Sequence, residues 1–440
     1  MEPTLIARPD HCISRNDIDP DVLRILYRLK RNDFEAYLVG GAIRDLLRGQ
    51  HPKDFDVATN ATPNELRQLF RNSRIIGRRF RLVHVFYGDK NIEVATLRSA
   101  AEPSESDGLY VENDNEWGDV ESDALRRDFT INQIYYDVRD FSLIDHAGGI
   151  ADIEQRLIRS LGDPMVRMQE DPVRMLRAIK FAARFGYTID SDTDHAIRVL
   201  PDEIIKASRF RVTEEIFRIL TQANRDRGLE LLHDYGFLRI LYPTWVEAVG
   251  EDGYDQVHDF FILVEREARE GRYLPLEVIA AGLFLPLLGT VDPHKDYFND
   301  RYAELAAEVR QLGDEMDLPK RLMAAVVALL RGQLYMLFFA HRRNSVKRFV
   351  HRQEFDYVWR LNDLAFGHLK PLHSLQEVWL HARESLGHAI GGWVDSPDRR
   401  DVFSFRGQRG GGRRKDGDSA SVVIDDRPAA GPRRRRRRRY

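Results

Sequence analysis

The sequence predicts a mixed α/β or α+β head followed by an all-helical body. Three observations carry this. Through residue 149, apolar runs of strand length alternate with short amphipathic helices. From Ile150 onward the apolar spacing is helical, with no convincing strand pairs. Beyond Asp395 the chain is Arg- and Gly-rich and ends in seven arginines, Arg433 to Arg439; such a segment cannot bury a core and predicts disorder.

In order, residues 21–30 place Val22, Leu23, Ile25, Leu26 and Leu29 on one helical face. Tyr37, Leu38 and Val39 form a strand that stops at Gly40-Gly41, where the backbone can approach a ligand closely. Residues 42–48 then read as a helix closed by Gly49. The glycine turn therefore lies at a helix N-terminus, which favours an anion such as a triphosphate. Asp54 and Asp56 follow. On a strand both carboxylates would share one face, with Phe55 and Val57 on the other. Two adjacent carboxylates repel unless a cation lies between them, and Mg²⁺, which prefers hard oxygen ligands, suits the pair.

Thr62-Pro63-Asn64-Glu65 is a capping box with proline at the first helical position, predicting a helix over 63–70. Strands are expected at 73–77, 81–87 and 92–97, the last two joined by a turn at 88–91. Residues 100–123 read as a mobile acidic loop, 129–138 as a strand and 145–149 as a turn. Helices are expected within 173–185, 212–220, 228–235, 255–265, 302–311 and 321–340.

At 440 residues the chain is long enough for two or more domains. Its single cysteine, Cys12, excludes an intrachain disulfide and a cysteine-rich zinc site, which fits a reducing compartment. No apolar segment of signal-peptide length opens the chain, and the longest apolar run, 278–288, is interrupted by Gly282 and Pro286. A soluble, cytoplasmic protein without membrane contact is expected. From Arg406 onward, thirteen Arg or Lys against four Asp give +9, so the rest of a chain of net charge −3 carries −12.

Leu38-Val39-Gly40-Gly41, Arg44-Asp45 and Asp54-Phe55-Asp56, continued by RRDFTINQIYYD (126–137) and EDPVRMLRAIKFAARFG (170–186), resemble the bacterial poly(A) polymerase and class II CCA-adding enzyme family over the first half of the chain. The resemblance implies a polymerase β-like nucleotidyltransferase head (1–158), a helical neck that recognises the nucleotide base (159–225), a helical RNA-binding body (226–395) and a disordered basic tail (396–440). It implies transfer of AMP from ATP to an RNA 3′ end with Mg²⁺, or Mn²⁺ in its place, and release of pyrophosphate. CCA addition to tRNA is the alternative. A catalytically dead RNA-binding protein is a third reading, against which the retained carboxylates argue. The run from Lys53 to Val85 and the basic tail resemble the polyadenylating branch. A monomer, with an RNA chaperone or decay nucleases as candidate partners, is expected.

Residue by residue, the resemblance assigns Asp54 and Asp56 to metal binding and catalysis. For the third carboxylate Asp128 ranks first, and Glu93, on the 92–97 strand facing away from Ile92 and Val94, is its rival. Gly40, Gly41, Arg44 and Arg127 are assigned to the nucleotide. Arg44 could instead pair with Asp45 at the surface. Asp171 and Arg174 match the pair that stands in for a template: the carboxylate accepts from an exocyclic amine while the guanidinium donates to the neighbouring ring nitrogen. Arg177 is a further nucleotide contact. Asp171 before Pro172 also reads as a helix N-cap. Arg78 and Arg79, with Arg81 and His84, form a basic strand edge for RNA. Arg342, Arg343 and Arg348, with Lys347 and Arg352, form a candidate sequence-blind RNA track. His258-Asp259 has no companion ligands and is set aside as a metal motif.

Overall fold

The computed structural model describes residues 2–77, 81–99, 117–289, 297–367, 373–385, 387, 391, 393 and 394. Arg78 and Arg79 of the expected RNA edge, most of the 100–123 loop and the basic tail lie outside these residues. The chain forms two compact units, one of residues 1–219 and 227–240, the other of 220–226 and 241–440.

The first unit is built on an eight-stranded mixed sheet. Its strands are β1 (Thr4–Ile6), β2 (Ala36–Val39), β3 (Asp56–Thr59), β4 (Ser73–Ile76), β5 (Leu82–Tyr87), β6 (Lys90–Thr96), β7 (Ile134–Asp137) and β8 (Leu143–Asp145), in the order β1-β8-β7-β2-β3-β6-β5-β4. Only β3 and β6 run parallel; the other neighbours are antiparallel. Helices α1 (Pro20–Arg31) and α3 (Pro63–Leu69) bury their apolar stripes, Val22, Ile25, Leu26, Leu29 and Leu66, in the core that also takes in Leu38, Val57, Val83, Val85 and Val94. The capping box expected for α3 is present, Thr62 Oγ1 accepting from the Glu65 N–H while Glu65 accepts from the Thr62 N–H.

The other face of the sheet is covered only in part. Tyr37, Val39, Ala58, Leu97 and Tyr135 are buried with Ala124 of α4 (Val120–Leu125). Farther out, at Glu93, His84 and Phe86, the same face is half-buried or exposed.

Three local expectations need correction. The 129–138 strand begins only at Ile134, because Thr130–Asn132 forms a 3-10 turn whose buried Thr130 hydroxyl donates to Asp152 at 2.6 Å. Strands do occur beyond Ile150: β9 (Leu157–Ile158) and β10 (Thr188–Ile189) pair in parallel, too short to leave a period-2 signature. β3 begins at Asp56, so Asp54 lies exposed ahead of the ladder and the two aspartates are not alternate residues of one strand.

Helices α5 (Gly149–Gln155), α6 (Pro164–Glu170), α7 (Val173–Phe185), α8 (Ser191–Val199) and α9 (Arg209–Thr221) complete most of the first unit, followed by α10 (Arg225–Asp234) and α11 (Phe237–Leu241). The second unit is helical: α12 (Pro243–Arg269), α13 (Leu276–Gly282), α14 (Phe298–Glu315), α15 (Lys320–Phe339), α16 (Arg343–Val350), α17 (Phe355–Phe366) and α18 (His373–Glu384). The described helix long and apolar enough to cross a membrane is α15, not the 278–288 run, and 67% of its apolar window is buried in the protein. It packs against α13, α14 and α17 as a core helix.

Candidate active site

The site is assembled where β2, β3 and β6 lie side by side. β2 ends at Val39, opposite Asp56, and Asp56 pairs in register with Glu93. Register partners share a face, so the two carboxylates are neighbours on the partly open side of the sheet. Gly40 then turns with φ 71° and ψ −137°, a conformation in which a side chain is strained. A Cβ there would sit 3.7 Å from Asp56 Oδ2 and 3.5 Å from Arg127 Nη1. The bare glycine thus leaves a cradle bordered by a carboxylate on one side and a guanidinium on the other.

Asp56 borders the Gly40 cradle and Glu93 stands beside it in register, and carboxylates of this kind are the hard oxygen donors that Mg²⁺ or Mn²⁺ takes. Among the described residues no three His, Cys, Asp or Glu side chains are already gathered into a cage.

Asp128 lies in a different setting. Its side chain is 12% exposed and meets Arg177 Nη2 at 2.5 Å and Nε at 2.7 Å, while Asn132 donates to it at 3.0 Å. Burial alone would raise this carboxyl, but Arg177, the Asn132 amide and the charge of Lys180 hold it well below the usual carboxylate range. The ladder continues through Arg177 to Glu215 at 3.5 Å and on to Lys180 Nζ at 2.6 Å. Burial and repulsion from Arg177 pull the Lys180 amine down to about 8, against the pull of Glu215. The structure thus pairs Glu93 with Asp56 in register, while Asp128 is bound to Arg177.

Arg44 is not a surface arginine. It is 4% exposed, donates through Nε and Nη2 to Asp45 and through Nη1 to Asn132, and lies 4.5 Å over the Phe185 ring. Its Nη2 is 3.2 Å from where a Cβ on Gly41 would stand, so it supports the glycine turn from inside. Arg127 is held by Asp123, Tyr135 and the Asn132 carbonyl at 3.0–3.3 Å. Buried Asp123 also accepts from Arg126 and from the Tyr135 hydroxyl.

The alternative reading of Asp171 as a helix N-cap does not hold. Asp171 is the C-cap of α6, and the N-cap of α7 is Pro172, without a side-chain bond. Its carboxylate instead receives both Nη atoms of Arg211 at 3.0 and 2.8 Å. Arg174 donates to the Arg167 carbonyl and to Glu170. Arg211 and Glu215, one turn apart on α9, thus engage Asp171, Arg177 and Lys180. Sequence reading missed both, and the signal that could have found them is a pair of opposite charges at i and i+4 on a helix following the EDPVR segment.

In the second unit, Arg342, Arg343, Lys347 and Arg348 are exposed at the start and along one side of α16, whose Val346, Phe349 and Val350 are buried. His258 stacks on Tyr254, 6.1 Å between ring centroids.

Residues 36–159 match the family described as "Poly A polymerase head domain", and residues 186–248 match "Probable RNA and SrmB- binding site of polymerase A". The chain is 43% identical over 299 residues to poly(A) polymerase I of Salmonella typhi, a match covering 65% of this chain and 64% of that one. It therefore spans just under two thirds of that relative's length. To poly(A) polymerase I of Escherichia coli O157:H7 it is 39% identical over 352 residues, 76% of each chain. A CC-adding tRNA nucleotidyltransferase of Halalkalibacterium halodurans is 36% identical over 228 residues, 52% of this chain and 54% of that one. Among solved structures, the Bacillus stearothermophilus CCA-adding enzyme shares the fold, with a TM-score of 0.57, 24% identity and 84% of each chain covered. Identity of this order across three quarters of a relative's length settles kinship: the chain belongs to the bacterial poly(A) polymerase I family.

Proposed function

We propose that this chain is a template-independent RNA 3′-nucleotidyltransferase that adds AMP from ATP and releases pyrophosphate. The observation that supports it best is the register pairing of Asp56 with Glu93 beside the Gly40 turn, with Asp54 exposed just ahead of the strand. Asp54 and Asp56 would hold Mg²⁺, and Glu93 is our third carboxylate. The ion would supply charge neutralisation for the triphosphate and for the attacking 3′-hydroxyl. That 3′-oxygen bonds to the α-phosphorus as the bond to the β-phosphate oxygen breaks, and the hydroxyl proton passes to solvent.

The residues of the chain bind and orient. Arg127, bordering the same cradle as Asp56, is assigned to the nucleotide's phosphates or ribose, and Gly40 and Gly41 admit them closely. Arg44 supports that turn and is not itself the phosphate fork. Asp171 accepts from the exocyclic amine of adenine while Arg174 donates to the adjacent ring nitrogen. Arg211 holds the Asp171 carboxylate until the base arrives. The RNA 3′ end is the acceptor, and we place the enzyme in the cytoplasm.

CCA addition is the second reading, kept because a CC-adding relative matches over half of the chain. One experiment separates the two: a generic RNA and a tRNA lacking its CCA end are each incubated with single nucleotides and with a mixture. Long extension of the generic RNA by ATP alone, with CTP poorly used, is the expected result. Addition of C-C-A to the tRNA followed by arrest would overturn it.

A further inference from the structure

The sheet face that carries the proposed carboxylates does not end with them. Asp56 pairs with Glu93, Glu93 pairs with His84, and His84 pairs with Arg74, so one row crosses β3, β6, β5 and β4 in register. All four side chains stand on one face. Phe86 lies two residues along β5 on that face, opposite Asn91. Inward of Asp56 the face is buried, with Tyr135 and Val39 packed together with Ala124 of α4. Outward of it, Glu93 has 44% of its side chain exposed, Phe86 is 40% exposed, and Arg74 and Asn91 are exposed. The face changes from covered to open at the carboxylates.

Its charge is also distinctive. Between Glu65 and Asp89 the chain has six arginines and no carboxylate, within a protein of net charge −3. An open depression of about 570 Å³ follows the β4 edge, lined in part by Arg67, Arg71, Asn72, Arg74 and Phe86. The polar groups around Phe86 are fixed: the Asn72 amide donates to its carbonyl at 2.5 Å, and the His84 ring meets it edge-on at 6.3 Å. His84 is in turn held between Glu93 at 3.4 Å and Asn91 at 3.2 Å. An exposed aromatic ring among arginines, one row from a phosphoryl-transfer site, has the composition that binds single-stranded nucleic acid by stacking and phosphate contact.

We propose that this outer face, Phe86 and Arg74 with His84 and Asn91, seats the last nucleotides of the RNA acceptor and delivers its 3′-hydroxyl to the Asp56–Glu93 row. Phe86 stacks the penultimate base, and Arg74 pairs with the phosphate beyond it. The proposal rests on the assignment of Asp56 and Glu93 as the catalytic carboxylates. Its occupant is single-stranded RNA, because stacking is tolerant of sequence while the arginines demand a polyanion.

The test uses the full chain and a short RNA carrying 5-iodouridine at the penultimate position. Irradiation is expected to attach it to the peptide containing Phe86. Phe86→Ala is expected to raise KM for RNA about fivefold or more while KM for ATP stays, and Phe86→Tyr to restore it. Arg74→Ala is expected to reduce the salt slope of RNA binding by about 0.7. RNA affinity, read by fluorescence anisotropy, is also compared between Asp56→Asn and Asp56→Asn with Phe86→Ala. Weaker binding by the double variant supports the platform. Equal binding overturns it even where Asp56→Asn is inactive, whereas turnover by Asp56→Asn overturns the carboxylate assignment instead. Unchanged RNA constants together with capture of a β-strand peptide along β4 would make the edge a protein-docking site and reject the proposal.

Discussion

Glu93 and Asp128 are both carboxylates of the first unit, and both are candidates for one role, yet the fold treats them in opposite ways. Glu93 stands on an open strand face with 44% of its side chain exposed, and it meets the His84 ring at 3.4 Å. Asp128, 12% exposed, is locked to Arg177, which is tied in turn to Glu215 and through it to Lys180. A carboxylate that must meet a metal and a moving substrate needs open coordination positions. One that shapes a recognition helix needs a buried cation, because an unpaired charge there would be costly. On this difference we propose chemistry for the open row and geometry for the buried ladder.

The largest effect is expected at the centre of the open row. Asp56→Asn keeps the side-chain volume but removes the charge that would hold the ion, and should lower kcat by about a thousandfold or more, several kcal/mol of transition-state stabilisation. Thermal unfolding should be nearly unchanged, since Asp56 is only partly buried. Steady-state extension of RNA with Mg²⁺ checks this, and near-normal turnover would remove Asp56 from the chemistry.

Glu93→Gln and Asp128→Asn sharpen the comparison itself. Glu93→Gln should cost about a hundredfold in kcat with an intact fold. Asp128→Asn should instead destabilise the protein by about 3 kcal/mol, the cost of leaving the half-buried Arg177 short of its closest partner. The Asp128 carboxyl is lower in the folded than in the unfolded chain. Its contribution is therefore fully present above the unfolded value near 3.8 and is lost as pH falls through the lower folded one. The gap in melting temperature between wild type and Asp128→Asn should be flat at neutral pH and narrow only in strong acid. The reverse pattern, a dead but stable Asp128→Asn and an active Glu93→Gln, would exchange the two roles.

How much of this was legible depended on whether a feature was local. The Gly40-Gly41 turn, the capping box at Thr62 and the limits of α7 follow from residues within a turn of each other, and each is where the sequence put it. Glu93 could be placed on a strand face, but its nearness to Asp56 needs the β3–β6 register, which no local pattern encodes. The N-cap alternative at Asp171 fails for a related reason. Asp-Pro is a sound capping signal in isolation, and only the return of α9, forty residues later, shows that Arg211 has claimed the carboxylate. The resemblance assigns Arg44 to the nucleotide, and its position three residues into a short helix says nothing of the Phe185 ring that covers it.

At the partly exposed Asp171–Arg211 pair a smaller, selective change is expected. Asp171→Ala should erode the preference for ATP over CTP by about tenfold, the worth of a hydrogen bond to a charged group, with little change in the phosphate chemistry. Because Asp171 caps no helix N-terminus, the melting temperature should scarcely move. Arg211→Ala leaves the acceptor in place but frees its orientation, and should blur selection less than Asp171→Ala does. Competition assays with mixed nucleotides measure both. An earlier melt with selection intact in Asp171→Ala would give the residue a structural role alone.

The smallest effect belongs to the second unit. Arg342, Arg343 and Arg348 are exposed around α16. If each neutralises one phosphate of a single strand, replacing all three by alanine should reduce the log–log salt slope of RNA binding by about 2, at about 0.7 per phosphate. The loss should be uniform across RNA sequences, because phosphate contacts carry no base information. Turnover at saturating RNA should hold, since the proposed chemistry lies in the first unit. The control is a chain ending at Asp395, which removes the thirteen basic residues from Arg406 onward. If truncation flattens the salt slope and the triple alanine variant leaves it unchanged, the RNA track belongs to the arginine-rich terminus; if the triple variant alone flattens it, the track is α16.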